Sequence, residues 1–302
     1  MEAPRSNQQQ QWMSFVCCSS HGRETLGNGS SFLENNGNCH IVLGLLKDCT
    51  NRKDLYRGSR LHDDIIQRGL LEKDVYIGSA LVNMYVKCGS LAKAQNVFEK
   101  LPVQNVVSWN ALISGYVQHG YAGKALYCFE KMQNDGISPS EVTFVCTLKA
   151  CGDLKAIDKG QEIHARILME GLLEKNDMVC TALIDMYAKC GSFAKAQGVL
   201  EKLTCPHVSS WNALISGYNQ HGHCDETLIC FQEMQQKGIS PNGITFTCIL
   251  KACGVTGSAD KGLDIYAKLL REKWIEKDIL IGTALVDMFV KCSQLAKAME
   301  VF

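Results

Sequence analysis

The sequence predicts an all-α fold, an α-solenoid of stacked helix–turn–helix units. Three observations predict it. The chain repeats itself at an offset of 102 residues. Each repeat divides into three segments, and each segment carries two apolar stripes at helical spacing with a glycine-containing break between them. Strand-like alternation is nowhere indicated.

The period is visible when the chain is laid on itself. Leu81-Val82-Asn83-Met84-Tyr85-Val86-Lys87-Cys88 returns at Leu183 to Cys190 and again at Leu285 to Cys292, 102 residues on each time. Ser108-Trp109-Asn110-Ala111-Leu112-Ile113-Ser114-Gly115-Tyr116 recurs unchanged at Ser210 to Tyr218. Solenoid units run to about 20–50 residues, so a period this long holds three.

The segments follow from the stripes. In residues 106–140, Trp109, Leu112, Ile113 and Tyr116 share one helix face, and His119-Gly120 breaks the pattern. Ala125, Leu126, Phe129 and Met132 form a second face, and Gly136 and Pro139 stop it. Residues 75–105 pair Leu81, Met84 and Tyr85 with Leu91, Ala94, Val97, Phe98 and Leu101 across a Cys88-Gly89-Ser90 turn. Residues 141–176 pair Phe144, Leu148 and Cys151 with Ile163, Ile167 and Leu168, with a turn expected near Gly152-Asp153. The array therefore reads 39–74, 75–105, 106–140, 141–176, 177–207, 208–242, 243–278 and an incomplete 279–302. Stacking such pairs buries the apolar faces that one pair alone leaves exposed and creates a concave surface. Pro102, Pro139, Pro206 and Pro241 fall near unit boundaries, where helices have to end.

Composition narrows the function. Of 302 residues, 46% are hydrophobic and 21% charged, a globular balance. Lys+Arg and Asp+Glu both number 31, so bulk positive charge does not hold this chain to a polyphosphate. A reader that uses a few placed contacts remains open. No stretch approaches the apolar length of a membrane span. Sixteen cysteines suggest a disulfide framework, but they recur with the period (Cys49, Cys151, Cys253; Cys88, Cys190, Cys292). A residue repeated in that way fills one structural position several times, and free Cys is readily buried. Residues 1–38, rich in Gln, Ser, Asn and Gly and without a period, are expected to be disordered. The chain stops inside a helical pattern at Ala298 to Phe302, with an apolar face where a solenoid cap is polar, so a lost segment or a partner is expected there.

The 35-residue unit, from Val106-Val107-Ser108-Trp109-Asn110 through Gly136-Ile137-Ser138-Pro139-Ser140, resembles a pentatricopeptide repeat. The order of 36-, 31- and 35-residue units resembles the plant PLS subclass of that family, and the likeness covers residues 39–302. The uniform 34-residue period of the tetratricopeptide repeat does not fit. The resemblance implies a right-handed solenoid that binds single-stranded RNA and no DNA, in a mitochondrion or chloroplast. It implies one base per unit, read by the fifth and last residues. Those pairs are Leu43/Asp74, Ser79/Asn105, Asn110/Ser140, Val145/Asn176, Thr181/His207, Asn212/Asn242 and Thr247/Asp278. In the family's code, Ser with Asn suits adenine, Asn with Ser cytosine, Asn with Asn a pyrimidine, and Thr with Asp guanine. The implied order is N-A-C-N-N-Y-G, with the base of Thr181/His207 left open. The plainer reading makes these residues ordinary helix starts and loop positions.

Other chemistry is sparse. A zinc deaminase follows many repeats of this subclass and needs His-x-Glu with Cys-x-x-Cys, but the chain has no Cys-x-x-Cys. No catalysis, metal or cofactor is expected of it, and a deaminase or other editing factor would act in trans. His221-Gly222-His223-Cys224 groups metal-capable side chains, yet His221 is the counterpart of His119, whose turn has no second ligand. These read as turn histidines. Trp109 and Trp211 read as core residues. Lys47, Lys149 and Lys251, with Lys87, Lys189 and Lys291, recur near the ends of first helices as phosphate ladders or as cations offsetting the helix dipole. The expected function is an RNA adaptor that recognises sites of editing or other processing. A protein–protein scaffold that clasps a peptide in the same groove is the alternative.

Overall fold

The computed structural model describes residues 39–173, 176–203 and 206–301, all helices, turns and loops with no strand among them. The expectation for residues 1–38 lies outside the described residues. In chain order the helices are α1 (Cys39–Arg52), α2 (Leu55–Gln67), α3 (Leu70–Lys73), α4 (Val75–Lys87), α5 (Leu91–Glu99) and α6 (Val106–Gln118). Then come α7 (Ala122–Asn134), α8 (Glu141–Leu154), α9 (Ile157–Met169), α10 (Asp177–Lys189), α11 (Phe193–Glu201) and α12 (Val208–Gln220). The last are α13 (Cys224–Gln236), α14 (Gly243–Thr256), α15 (Ala259–Arg271), α16 (Trp274–Lys277), α17 (Ile279–Lys291) and α18 (Leu295–Val301).

Eight of these are first helices of pairs: α1, α4, α6, α8, α10, α12, α14 and α17. Each packs on the next, so they form one continuous row. Each second helix rests on its own first helix, and all but the last described one, α18, also rest on the first helix of the following unit. Amphipathicity explains the arrangement. A first helix buries most of its surface, as α4 does with Ile77, Leu81, Val82, Met84, Tyr85 and Val86. A second helix buries one stripe, as α5 does with Ala94, Val97 and Phe98. The result is an all-α solenoid.

Small residues set the approach between neighbours. A Cβ on Gly58 would stand 2.5 Å from the Met84 sulfur, and Gly160 with Met186 repeats that geometry. Gly115 faces Val86 and Gly217 faces Ala188 in the same way one unit later. The expected turn at Gly152-Asp153 lies later than the sequence places it. Helix α8 runs on to Leu154, and Lys155 closes it with φ 54°. Gly152 is a contact residue instead, because a Cβ there would lie 3.3 Å from Met186 Cα. Leu168 is 49% exposed, so Ile163 and Ile167 carry that stripe without it. The short helices α3 and α16 have no sequence-level signal in the stripes.

The core holds Trp109 and Trp211, each 1% exposed. Phe98 meets Trp109 edge-on, with ring centroids 4.5 Å apart. The described cysteines are free thiols, and many are buried. Burial pushes the Cys151 and Cys230 thiols up to about 12. A polar pair also repeats: His62 Nδ1 lies 3.0 Å from the Tyr85 hydroxyl, and His164 Nδ1 lies 2.8 Å from that of Tyr187. In the third copy the pair becomes Tyr266 against Phe289, edge to face at 5.3 Å.

Trp211→Ala is expected to cost about 3–5 kcal/mol as a large-to-small core change, read as a shift in the urea midpoint. A loss under about 1 kcal/mol would show that the ring is not a core residue. The histidines make a second prediction. Burial pushes the His62 and His164 imidazoles below the ordinary value of 6.5. Below that pH the unfolded chain binds more protons than the folded one, so stability falls as pH drops, until the depressed folded values are passed. The urea midpoint should be lower at pH 5 than at pH 7. Combining His164→Tyr with Tyr187→Phe, the rings of the third copy, should shrink that difference, and an unchanged difference would sink the assignment.

Candidate nucleic-acid interface

Each last residue of a unit precedes the first helix of the next, so it is an N-cap. Asp74 Oδ1 accepts from the Tyr76 N–H, Asn105 from Ser108, Ser140 from Thr143 and Asn176 from Met178. Asn242 accepts from the Thr245 N–H and Asp278 from Leu280. These are the residue types that cap helices best. His207 holds the same place before α12 and makes no side-chain cap.

The cap also lies beside the fifth residue of its own unit, one turn into the preceding first helix. In three units the two side chains hydrogen-bond. Asn110 Nδ2 donates to Ser140 Oγ at 2.8 Å, and Asn212 Nδ2 donates to Asn242 Oδ1 at 2.9 Å. Ser79 Oγ donates to Asn105 Oδ1 at 3.3 Å. The other four pairs do not bond. Leu43 and Val145 carry no polar group. Thr181 Oγ1 lies 2.9 Å from Ser210 Oγ instead of meeting His207, and Thr247 Oγ1 donates to its own helix at Gly243 O, 2.8 Å away. Asp74, Asn176, His207 and Asp278 are therefore not held by their fifth residues. Ser79 and Asn212 are 2% and 7% exposed.

Two threonines that the sequence reading passed over fix the asparagines. The Thr143 hydroxyl accepts the Ser140 N–H and donates to Asn110 Oδ1 at 2.5 Å. The Thr245 hydroxyl accepts the Asn242 N–H and donates to Asn212 Oδ1 at 2.7 Å. Each amide is thereby oriented with its Nδ2 toward the cap residue. The legible signal was a Ser or Thr three residues after Asn105, Ser140 and Asn242, a capping-box spacing that Asn176, followed by Val179, does not have. The second residue of several units was also passed over. Tyr76, Val142, Met178, Ile244 and Leu280 are apolar yet 44%, 39%, 53%, 60% and 65% exposed, beside the caps. Their signal was an apolar residue at a helix start, outside the buried stripe.

The lysines differ among themselves. Lys47, Lys149 and Lys251 are exposed. Lys87 donates to Gln118 Oε1 at 2.9 Å. Lys189 pairs with Asp153 at 3.0 Å and Asp185 at 2.9 Å, and Lys291 pairs with Asp287 at 2.7 Å. A phosphate at the latter two would have to displace a carboxylate. At the histidine cluster, His221 Nδ1 lies 3.0 Å from its own helix at Gly217 O, and His223 faces Glu226 at 3.6 Å. Phe193 packs edge-on against both imidazoles, and Cys224 is 5% exposed. These contacts make them turn and packing residues. Among the described residues, no three His, Cys, Asp or Glu side chains are grouped to hold a metal, and no helix is long and apolar enough to cross a membrane.

Comparison with known proteins places the repeats in a family. Residues 104–153 and 206–254 match the PPR repeat family, and residues 79–106, 178–205 and 244–273 match the PPR repeat, which together is more than half of the chain. The chain belongs to the pentatricopeptide repeat family. A putative pentatricopeptide repeat-containing protein of Arabidopsis thaliana named as mitochondrial is 35% identical over 259 residues, covering 86% of this chain and 41% of that protein. One from the same plant named as chloroplastic is 35% identical over 259 residues, covering 86% of this chain and 32% of that protein. The chain thus spans well under half the length of these relatives. The crystal structure of the maize pentatricopeptide repeat protein PPR10, in complex with an 18-nt psaJ RNA element, shares the fold. Its TM-score is 0.66 at 15% identity, over 88% of this chain and 42% of that one.

The exceptional cap makes the prediction for this pentatricopeptide array. His207→Asn should stabilise the chain by about 1 kcal/mol, because it supplies the oxygen that the first turn of α12 lacks. Thermal denaturation of both forms tests this, and a lower midpoint in the variant would show that the His207–Asp177 contact, 3.1 Å long, matters more than the missing cap.

Proposed function

We propose that this chain is a sequence-specific adaptor for single-stranded RNA, of the PLS subclass and without catalysis of its own. It works in a mitochondrion or chloroplast and marks sites for editing or related modification. A deaminase or another editing factor acts in trans.

The observation that carries this reading is the bonding of fifth and last side chains in the units that begin at Val75, Val106 and Val208, with exposed apolar side chains beside the caps. A flat base has a polar edge and two apolar faces. The paired side chains offer donors and acceptors to the edge. Tyr76, Val142, Met178, Ile244 and Leu280 offer apolar surface to the faces. A base that enters exchanges its edge for a side chain–side chain bond already present. The Ser79–Asn105 bond, at 3.3 Å the longest of the three, is the easiest to exchange. Lys47, Lys149 and Lys251 are exposed on the same first helices, and Lys87, Lys189 and Lys291 are available to phosphate at the cost of their present partners. That the family's relatives include proteins named as mitochondrial and chloroplastic, and a structure solved with RNA, supports the compartment and the ligand.

Capping and reading have to be separated in the test, since removing a cap oxygen weakens the fold by about 0.5–2 kcal/mol whatever the side chain reads. Asn105→Asp with Ser79→Thr keeps a good cap. Selection from a randomised RNA pool should give N-A-C-N-N-Y-G for the native chain and move only the second base from A to G in the variant. Each polar pair should discriminate by about 1–3 kcal/mol, the scale of a good contact to a base edge. An unchanged second base would overturn the code reading. Flat enrichment, together with tight binding of a peptide, would favour the scaffold.

A further inference from the structure

Which neighbour the last residue of a unit chooses follows from the first residue of that unit. The first and fifth residues are four apart on one helix, so they stand one above the other on the same face. Both lie within reach of the last residue. In the units that begin with Val75, Val106 and Val208, the last residue bonds to the fifth. In the other four complete units it turns to the first. Asn176 Nδ2 donates to Glu141 Oε2 at 2.5 Å, and His207 Nε2 meets Asp177 Oδ2 at 3.1 Å. At Cys39, burial first and the neighbouring Asp74 carboxyl second push the thiol up, which puts Asp74 beside the first residue of its unit. Where the first residue is Gly243, Asp278 Oδ2 lies 2.7 Å from the place a Cβ would take, so the carboxylate occupies the side-chain space of the first residue itself.

We propose that the first residue of each unit is a positioning residue that sets base specificity by holding or releasing the last residue. This rests on the RNA reading above. A valine leaves the last side chain to the fifth, so that the two act as one polar pair. A carboxylate captures it. Asn176 then spends its oxygen on the Met178 N–H and one amide hydrogen on Glu141. That leaves a single donor for a base and places a negative charge beside it. Such a unit should read its base weakly, or by a rule that the fifth and last residues alone do not give. The unusual pair Thr181/His207 is the clearest case, because Thr181 bonds to Ser210 while Asp177 holds the imidazole.

The test is selection from a randomised single-stranded RNA pool on the full chain, with one base read out per unit. Val208→Glu should draw the Asn242 amide from Asn212 and relax the preference at the sixth base by about fivefold or more. Glu141→Val should change the profile at the fourth base by a similar factor and leave the others alone. Glu141→Gln keeps an oxygen for the Asn176 amide but not the charge, and should stay closer to the native profile than Glu141→Val does. Helix content and thermal midpoint show whether each variant folds; should Val208→Glu fail to fold, Glu141→Val and Glu141→Gln carry the test. A native chain that enriches a sequence, with both Glu141→Val and Val208→Glu giving the same profile, overturns the role of the first residue while leaving the RNA reading intact. A native chain that enriches nothing overturns both.

Discussion

The hydrogen bond from a boundary side chain to the first-turn backbone of the following helix ties each unit to its successor. A helix begins with N–H groups that have no partner within it. At six of the seven complete boundaries a side-chain oxygen takes up that need. The same side chain touches the preceding first helix, because first helices pack directly on one another along the array. It therefore belongs to two units at once. It is fixed by the geometry of one and exposed to the chemistry of the other. The row of first helices, the orientation of the asparagine amides by Thr143 and Thr245, and the placement of exposed apolar side chains beside the caps all follow from that shared position.

The sharing restricts the chemistry available at the boundary. Capping admits Asn, Asp and Ser with little difference in stability. Those residues differ strongly in what they donate and accept. A boundary can thus change its hydrogen-bonding character without loosening the array, so long as it stays within that set. His207 is outside the set. Its helix α12 begins without a side-chain cap, and its imidazole is turned to Asp177.

The fold was legible because the repeat is strict. The apolar stripes of Trp109, Leu112, Ile113 and Tyr116 and of their counterparts have one helical solution, and repetition removes the ambiguity of a single stripe. What escaped was whatever depends on a neighbouring unit. Gly152 reads as a helix stop in isolation, and only the approach of Met186 shows that it is a contact. Leu168 reads as apolar and falls on the open side of its helix. At the candidate interface, the resemblance to the family pointed to the fifth and last positions. It did not give their partners, since the bond from Asn110 to Ser140 spans 30 residues and that from Asn176 to Glu141 spans 35. Lys189 and Lys291 looked like free cations because the carboxylates that engage them, Asp185 and Asp287, are ordinary surface residues when read singly.

The glycine contacts between neighbours also bear on how such a gene can change length. One junction fits a methionine against a glycine of the preceding second helix, as Met84 does with Gly58 and Met186 with Gly160. The next fits a glycine of the following first helix against Val86 or Ala188. The two fittings are not interchangeable. Deleting or duplicating a single unit would set a side chain where a glycine is required, or leave a methionine without its recess. Unequal exchange between copies preserves every junction only when it adds or removes three units together. The inherited step of this array is therefore 102 residues, three units gained or lost in one event.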